Sequence, residues 1–110
     1  MNIRMDSKAV RVRISQDEIS ALLQRGVLNE EIALPLYTLS FRVTFAERTR
    51  VSQQENEVAF WLSPEVRDKL KSLSQGRDPI ATVYDESKGS RVCFELEVDV
   101  FTAKKREQRI

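Results

Sequence analysis

Residues 10–18 read VRVRISQDE, and this stretch joins a strand to a helix. Three aliphatic residues alternate with two arginines, which is the pattern of a strand with one buried face and one wet face. The SQDE that follows is a capping box, because the serine can accept from a first-turn amide while the glutamate three residues later reaches back to the serine amide. The stretch therefore predicts a strand that runs directly into a capped helix.

The residues on either side extend this prediction. Ile19, Leu22 and Leu23 have helical spacing, and Gly26 is placed to end the helix, which we expect over about 16–25. Upstream, the short alternating segment 3–5 and the polar residues 6–8 predict a strand and a turn. The N-terminus is therefore expected to form a small hairpin ahead of the helix.

The same join recurs in the second half of the chain, where residues 58–65 read VAFWLSPE. Ser63 is a helix cap, Pro64 suits the first helical position, and Gly76 is placed to close this second helix. The polar stretch 46–57 is predicted as a loop. Further alternating runs predict strands at 28–34, 37–45, 79–84 and 91–100, with a turn over 85–89 before the last.

The order of the predicted elements, together with the helix-cap and turn residues, predicts two strand–helix–strand–strand units. They extend over about 10–45 and 58–101 and are related by an approximate two-fold axis. The expected class is α+β, with a curved, mainly antiparallel sheet whose apolar face carries both helices. As an alternative, the sheet curls into a half-barrel or barrel-like cavity lined by its polar face. We expect one domain over 1–101 and a basic, flexible tail over 102–110.

Composition limits the function classes. The 110 residues include 18 basic and 17 acidic side chains, so the basic footprint of a nucleic-acid-binding protein is missing. The chain has one cysteine and no histidine, which removes the usual nucleophile–histidine pairs and the commonest metal ligand. No cofactor is expected. The absence of an apolar run long enough for a membrane span or a signal peptide predicts a cytoplasmic protein without a membrane partner.

Charged residues at outward strand positions are the candidate ligand-binding residues. They are Arg11, Arg13, Arg42, Glu95, Glu97 and Asp99. The favoured interpretation is cross-strand ion pairing on an exposed sheet face. In the barrel-like alternative the same rows face inward, where the carboxylates hold a divalent metal and the arginines clamp a phosphate, a pattern analogous to that of triphosphate-tunnel enzymes.

Trp61 is the single tryptophan, and alternation places it on the polar face of its strand. Tryptophan is enriched at interface hot spots, so Trp61 is a candidate interaction residue. The competing interpretation is that a neighbouring long side chain packs over it. Cys93 falls on a polar face as well, and without a histidine it is expected to be inert.

Residues 3–19, IRMDSKAVRVRISQDEI, resemble the start of a family of small bacterial proteins described as a domain of unknown function. Its members open with a basic strand, a polar turn, an Ile-Arg-Leu-Arg-Leu-like strand and a Thr/Ser-Gln-x-Glu cap. Residues 96–100 are similar to the family's Val-Glu-Lys-Asp-Phe-like end, although Val98 replaces the lysine. The resemblance implies a bacterial source and supplies no catalytic residue.

Two function hypotheses follow. The first is a non-enzymatic binding or interaction module that uses the polar sheet face or a strand edge, with a protein partner or a second copy of the chain. The second is a phosphate-binding protein or metal-assisted phosphohydrolase built on the strand-borne arginines and carboxylates. Because no catalytic set is assembled in the sequence, the first hypothesis is favoured.

Overall fold

A computed structural model describes residues 1–72, 79–86, 89 and 91–99. The elements follow in chain order: β1 Asn2–Met5, β2 Ala9–Ser15, α1 Gln16–Arg25, β3 Val27–Ala33, β4 Thr38–Phe45, β5 Arg50–Gln54, β6 Glu57–Leu62, α2 Pro64–Ser72, β7 Ala81–Asp85 and β8 Val92–Asp99. The predicted helix stop at Gly76 and the predicted tail over 102–110 lie outside the described residues. The prediction of one domain over 1–101 stays a prediction.

The strands form two four-stranded sheets, where the sequence led us to expect one. The first sheet has the order β1-β2-β8-β7 and the second the order β3-β4-β6-β5. Each sheet joins two antiparallel hairpins through a central parallel pair, which is β2 with β8 or β4 with β6. Four of these six ladders are antiparallel. The α+β class, the two helices and the mainly antiparallel pairing are therefore confirmed.

The barrel-like alternative is wrong, because neither of these two sheets closes on itself. The first ends at β1 and β7 and the second at β3 and β5. The physical reason is that each helix leaves one sheet and leads into the other: α1 connects β2 to β3, and α2 connects β6 to β7. The strands are thereby divided between two sheets of four, and their polar faces do not line a common cavity.

The predicted internal repeat is confirmed, but each repeat has two strands before its helix instead of the one that we predicted. Both halves have the order strand–strand–helix–strand–strand, with β1 to β4 around α1 and β5 to β8 around α2. Strand β5 lies in the stretch that we predicted as a loop, so that prediction is wrong. Its sequence, RVSQQ, contains a single apolar residue, Val51, which pairs with Phe60 of β6. An edge strand with so little apolar alternation has no clear signal in the sequence.

The predicted capping box at the start of α1 is confirmed. The Ser15 hydroxyl accepts from the Glu18 amide at 3.2 Å, and the Glu18 carboxylate accepts from the Ser15 amide at 3.0 Å. At the other end Gly26 has φ +81°, a left-handed conformation that favours glycine, and its amide donates to the Leu22 carbonyl at 2.7 Å. Sequence therefore determines both ends of α1 locally.

One buried cluster combines the inward sides of both sheets with the inward sides of both helices. Its members are Val10, Val12, Ile14, Ile19, Leu22, Phe41, Val43, Phe60, Leu62, Val66, Leu70, Ala81, Phe94 and Leu96. Burial of each large apolar side chain stabilises the fold by roughly 1.5–3 kcal/mol relative to exposure. The cluster holds the two sheets together although they share no ladder.

The hairpin turns of each sheet lie at the end opposite to its helix connections, because α1 and α2 start where β2 and β6 finish. The two turn-bearing ends adjoin: the Gln53 side-chain amide on β5 donates to the Asp85 carboxylate on β7 at 2.7 Å. At the helical side of the molecule, α1 and α2 contact each other. The structure therefore has a helical end and a hairpin end. No helix among the described residues is long and apolar enough to cross a lipid bilayer.

We expect Ser15→Ala to lower the free energy of unfolding by about 1 kcal/mol, because an orphan amide of α1 loses its acceptor. Ser15→Thr keeps a hydroxyl at the cap and should retain most of the stability. Urea denaturation of both variants measures the difference. Equal losses in the two variants would contradict the capping assignment.

Glu18 makes the stability depend on pH. Burial by itself would raise the pKa of Glu18, but hydrogen bonds from the Met1 amino group and the Ser15 amide outweigh it, so its pKa lies below its ordinary value. The unfolded group titrates near pH ~4.3. The stabilisation of the fold by the ionised Glu18 carboxylate is therefore fully present above that pH. It is lost as the pH falls through the lower pKa of Glu18 in the folded state.

The test compares the wild-type chain with Glu18→Gln in thermal melts at pH values from neutral to acid. The wild type should melt higher than the variant at neutral pH, and the gap should narrow as the pH falls below about 4.3. Because both proteins contain the other carboxyl groups, the contribution of those groups to the pH dependence cancels in the difference between the two melting temperatures. A gap that stays constant down to acid pH would contradict the role of the ionised carboxylate.

Candidate functional site

The outward side of the first sheet carries a row of arginines next to a row of carboxylates. Arg11 and Arg13 on β2 lie in register with Glu95 and Glu97 on the parallel strand β8. Arg4 on β1 lies directly opposite Arg11. We call this surface the arginine face, and its residues are Asn2, Arg4, Arg11, Arg13, Glu95 and Glu97.

Two ion pairs cross from β2 to β8 on the arginine face. Arg11 Nε lies 3.7 Å from Glu95 Oε2, and Arg13 Nη2 lies 3.2 Å from Glu97 Oε2. The two arginine side chains are 58% and 41% exposed, so water and salt screen both pairs. Each pair contributes about 0–1 kcal/mol to stability. The interpretation as cross-strand ion pairing is confirmed for these two arginines.

Arg4 is the residue that sequence reasoning missed. None of the ion pairs between described residues involves Arg4, and its register partner is another arginine. Like charges directly opposite each other in an antiparallel pair destabilise it. The predicted hairpin brought Arg4 next to β2 but gave the wrong register, because a turn over 6–8 sets Arg4 against Val10, whereas the structure pairs Met5 with Val10 and Arg4 with Arg11.

A small hollow opens on the arginine face between Asn2, Arg4, Arg11, Arg13 and Glu97. Its volume is about 20 Å³, which is room for about one water-sized group. Three of the five lining residues are arginines, whose guanidinium groups can donate several hydrogen bonds each. The hollow therefore suits a single anionic oxygen better than a cation or an apolar group.

The six predicted ligand-binding residues do not form one constellation. Arg42 lies on β4 of the second sheet, where its Nη2 is 3.2 Å from Glu57 Oε2. Asp99 ends β8, with its backbone in register with Ser15. Four of the six, namely Arg11, Arg13, Glu95 and Glu97, share the arginine face. Alternation predicted the outward side of each strand and could not predict which sheet the strand joins.

Trp61 lies on the outward side of the second sheet, half-buried. Its Nε1 donates to the Ser52 hydroxyl at 3.0 Å, and the Arg50 guanidinium carbon lies 4.4 Å from the ring centroid. A cation over the face of an indole is stabilising by about 0.5–1 kcal/mol at an exposed site. Both the polar edge and one face of the ring thus have partners on the neighbouring strand β5.

Cys93 lies beside the carboxylate row on β8. Burial raises the pKa of the Cys93 thiol, and the negative charge of Glu95, whose Oε1 is 3.7 Å from Sγ, raises it further. The thiolate is the nucleophilic form of cysteine, so a raised pKa lowers reactivity at neutral pH. Within the described part of the chain, no group of three or more histidine, cysteine, aspartate or glutamate side chains is arranged to hold a metal ion.

A double-mutant cycle on the Arg13–Glu97 pair should give a small coupling energy. We expect about 0.2–1 kcal/mol from Arg13→Met, Glu97→Gln and the double variant in urea denaturation, because the pair is exposed to solvent. The coupling should shrink when NaCl is raised from about 0.05 M to about 1 M. A coupling that survives high salt undiminished would show that the pair is not screened as its exposure indicates.

Comparison with known proteins adds one match. Residues 1–108 match the model of a family described as a family of unknown function, DUF7009. No curated protein matches the chain, and no solved structure does. The match extends over nearly the whole sequence and therefore includes both repeats, both sheets and the arginine face. The chain belongs to this family of unknown function, DUF7009.

Proposed function

We propose that the chain is a non-enzymatic interaction module that binds an acidic segment of a protein with its arginine face. The observation that carries the proposal is the placement of Arg4 opposite Arg11, beside Arg13. Arg4, Arg11 and Arg13 line one hollow there, and two of these arginines are paired with carboxylates of β8. A carboxylate placed between the arginines would relieve their mutual repulsion and gain charge-assisted hydrogen bonds.

The size of the hollow favours an acidic side chain over a phosphate-bearing ligand. About 20 Å³ admits one carboxylate oxygen, whereas a triphosphate with its metal requires a far larger enclosed site. Shallow surfaces of this type are usual for protein partners, which contact a sheet face over many side chains. Arg42 and Trp61, which lie on the second sheet, stay predicted contact residues of such a module.

The chemistry of the chain agrees with a binding function. With no histidine in the sequence, the side chain that most often acts as a general base near neutral pH is missing. The raised pKa of Cys93 keeps its thiol protonated at neutral pH. A bacterial source and a cytoplasmic location stay predictions that rest on the resemblance and on composition.

The test measures binding of a fluorescent glutamate oligomer by anisotropy at low salt. Arg4→Gln should raise the dissociation constant about tenfold, the effect of losing one charge-assisted contact of about 1.4 kcal/mol. The matched control is Arg48→Gln, the same change of charge at an exposed arginine outside the strands. It should leave the constant within about twofold, since a distant exposed charge acts weakly.

Equal weakening by the two variants would mean that binding depends only on net charge, and the proposal would fail. A parallel thermal-shift series with tripolyphosphate, alone and with Mg²⁺ or Mn²⁺, tests the phosphate hypothesis. A rise in melting temperature there, with no response to the glutamate oligomer, would favour a phosphate ligand instead.

A further inference from the structure

An apolar turn projects from the hairpin end of the second sheet. The connection between β3 and β4 reads LPLY, residues 34–37, and we call it the apolar tip. Leu36 is 92% exposed, and Leu34 and Tyr37 are exposed as well. A hydrogen bond from the Leu34 amide to the Tyr37 carbonyl, 2.8 Å long, closes the turn. Single exposed apolar residues are ordinary on a protein surface, but three large ones within one closed turn form a surface that is stabilised when a partner covers it.

A hollow opens beside the apolar tip, on the outward side of the second sheet. It is shallow, with a volume of about 830 Å³. One row of register partners crosses it from β3 to β5, and its members are Glu31, Ser40, Glu57 and Gln54. Register partners point to the same side of a sheet, so the short Ser40 side chain forms the floor between the two longer glutamates. Thr38, which follows the tip directly, also lines the hollow and connects the two surfaces.

The hollow is negatively charged. Its lining contains three carboxylates, those of Glu31, Glu55 and Glu57, and no lysine or arginine among the described residues. Glu57 pairs with Arg42 at 3.2 Å, whereas neither of the other two takes part in an ion pair between described residues. Three carboxylates against one guanidinium leave an excess of negative charge next to the exposed apolar side chains.

Glu55 contributes its carboxylate from an unfavourable backbone conformation. Its φ is +37°, and it is the one non-glycine residue with positive φ in the described part of the chain. Glycine and asparagine tolerate this region best, because the Cβ of other residues crowds the backbone there. Asparagine at this position would therefore fit the turn between β5 and β6 at least as well as glutamate does. The acid is not what the turn itself requires.

We propose that the apolar tip and the adjoining hollow together bind one extended segment of a partner protein, with apolar side chains on the tip and lysine or arginine side chains in the hollow. Charge complementarity selects this occupant, since a guanidinium between Glu31 and Glu57 gains charge-assisted hydrogen bonds. The same carboxylates would repel an anionic lipid surface. The inference goes beyond the proposed function, because this surface lies on the other sheet and takes a partner of the opposite charge.

The spacing of the two surfaces determines the spacing in the partner. Leu34 follows Glu31 by three positions, which is about 10 Å along β3 at roughly 3.4 Å per residue. An extended partner segment has the same rise per residue. Its basic side chains should therefore lie about three positions from its apolar ones.

The experiment measures binding of a fluorescent peptide, Gly-Leu-Leu-Ser-Arg-Arg-Gly, to the full chain by anisotropy at low salt. Two further peptides serve as probes of the two halves: one has serines in place of the leucines, and the other has glutamines in place of the arginines. Each should bind about tenfold more weakly than the first, because each loses one half of the contact.

Variants of the chain locate the binding site. Leu36→Ser and Glu31→Gln should each raise the dissociation constant of the first peptide about tenfold. Glu55→Asn should raise it about threefold while the melting temperature holds or rises, because asparagine suits the positive φ. The matched controls are Met5→Ser, at an exposed apolar residue of the first sheet, and Glu47→Gln, at an exposed acid in the connection between β4 and β5. Both should leave the constant within about twofold.

The inference would be overturned if the first peptide did not bind, or if Met5→Ser weakened it as much as Leu36→Ser. Association with neutral or anionic vesicles that is lost in Leu36→Ser, without peptide binding, would assign the tip to a lipid surface instead. Self-association that is lost in the same variant would assign it to a second copy of the chain. Glu31→Gln should leave the affinity for the glutamate oligomer within about twofold, so the two proposed surfaces can fail independently.

Discussion

The parallel ladders between β2 and β8 and between β4 and β6 are the constraint on which both sheets depend. Every other ladder lies within a hairpin, and an isolated two-stranded hairpin is marginal in water. The ladder between β2 and β8 joins residues as distant as Arg13 and Glu97, 84 positions apart in the chain. Its formation brings the ends of the chain together, and loop-closure entropy opposes that step until burial of the core compensates for it.

The same ladder creates the arginine face. Parallel pairing in register sets each outward arginine of β2 against one outward carboxylate of β8, so the two rows neutralise each other residue by residue. The hairpin partner β1 then adds Arg4 to a row whose acids already have partners. The excess of positive charge is thus a result of topology. Net charge of the whole chain, at +1, gives no sign of it.

Local signals predicted the local features. The capping box at residues 15–18 and Gly26 predicted both ends of α1, and alternation predicted which side of β2, β4 and β8 is buried. Strand β5 was missed because its single apolar residue leaves no period to detect. The division of the strands into two sheets was missed for a different reason. It depends on which distant strands share a ladder, and side-chain alternation is the same whichever partner a strand takes.

For the candidate site, too, local sequence signals predict which side of a strand a residue faces but not which sheet the strand joins. The partners of Arg11 and Arg13 on the last strand could be predicted, because charge complementarity between FELEV and VRVRI is visible in the letters. The separation of Arg42 from them could not, since it follows from the division into sheets. The apolar tip stands in the sequence as LPLY, and its exposure is a consequence of its place at the end of a hairpin.

The exchange of hairpins between the two sheets also bears on the origin of the fold. Each repeat gives its first hairpin to one sheet and its second to the other, and neither repeat contains a complete sheet. Two separate chains, each with one strand–strand–helix–strand–strand unit, would have the same six ladders available to them. The fold therefore has the topology that a dimer of two such units with exchanged hairpins would have. Duplication and fusion of a gene half as long would produce it without any new pairing.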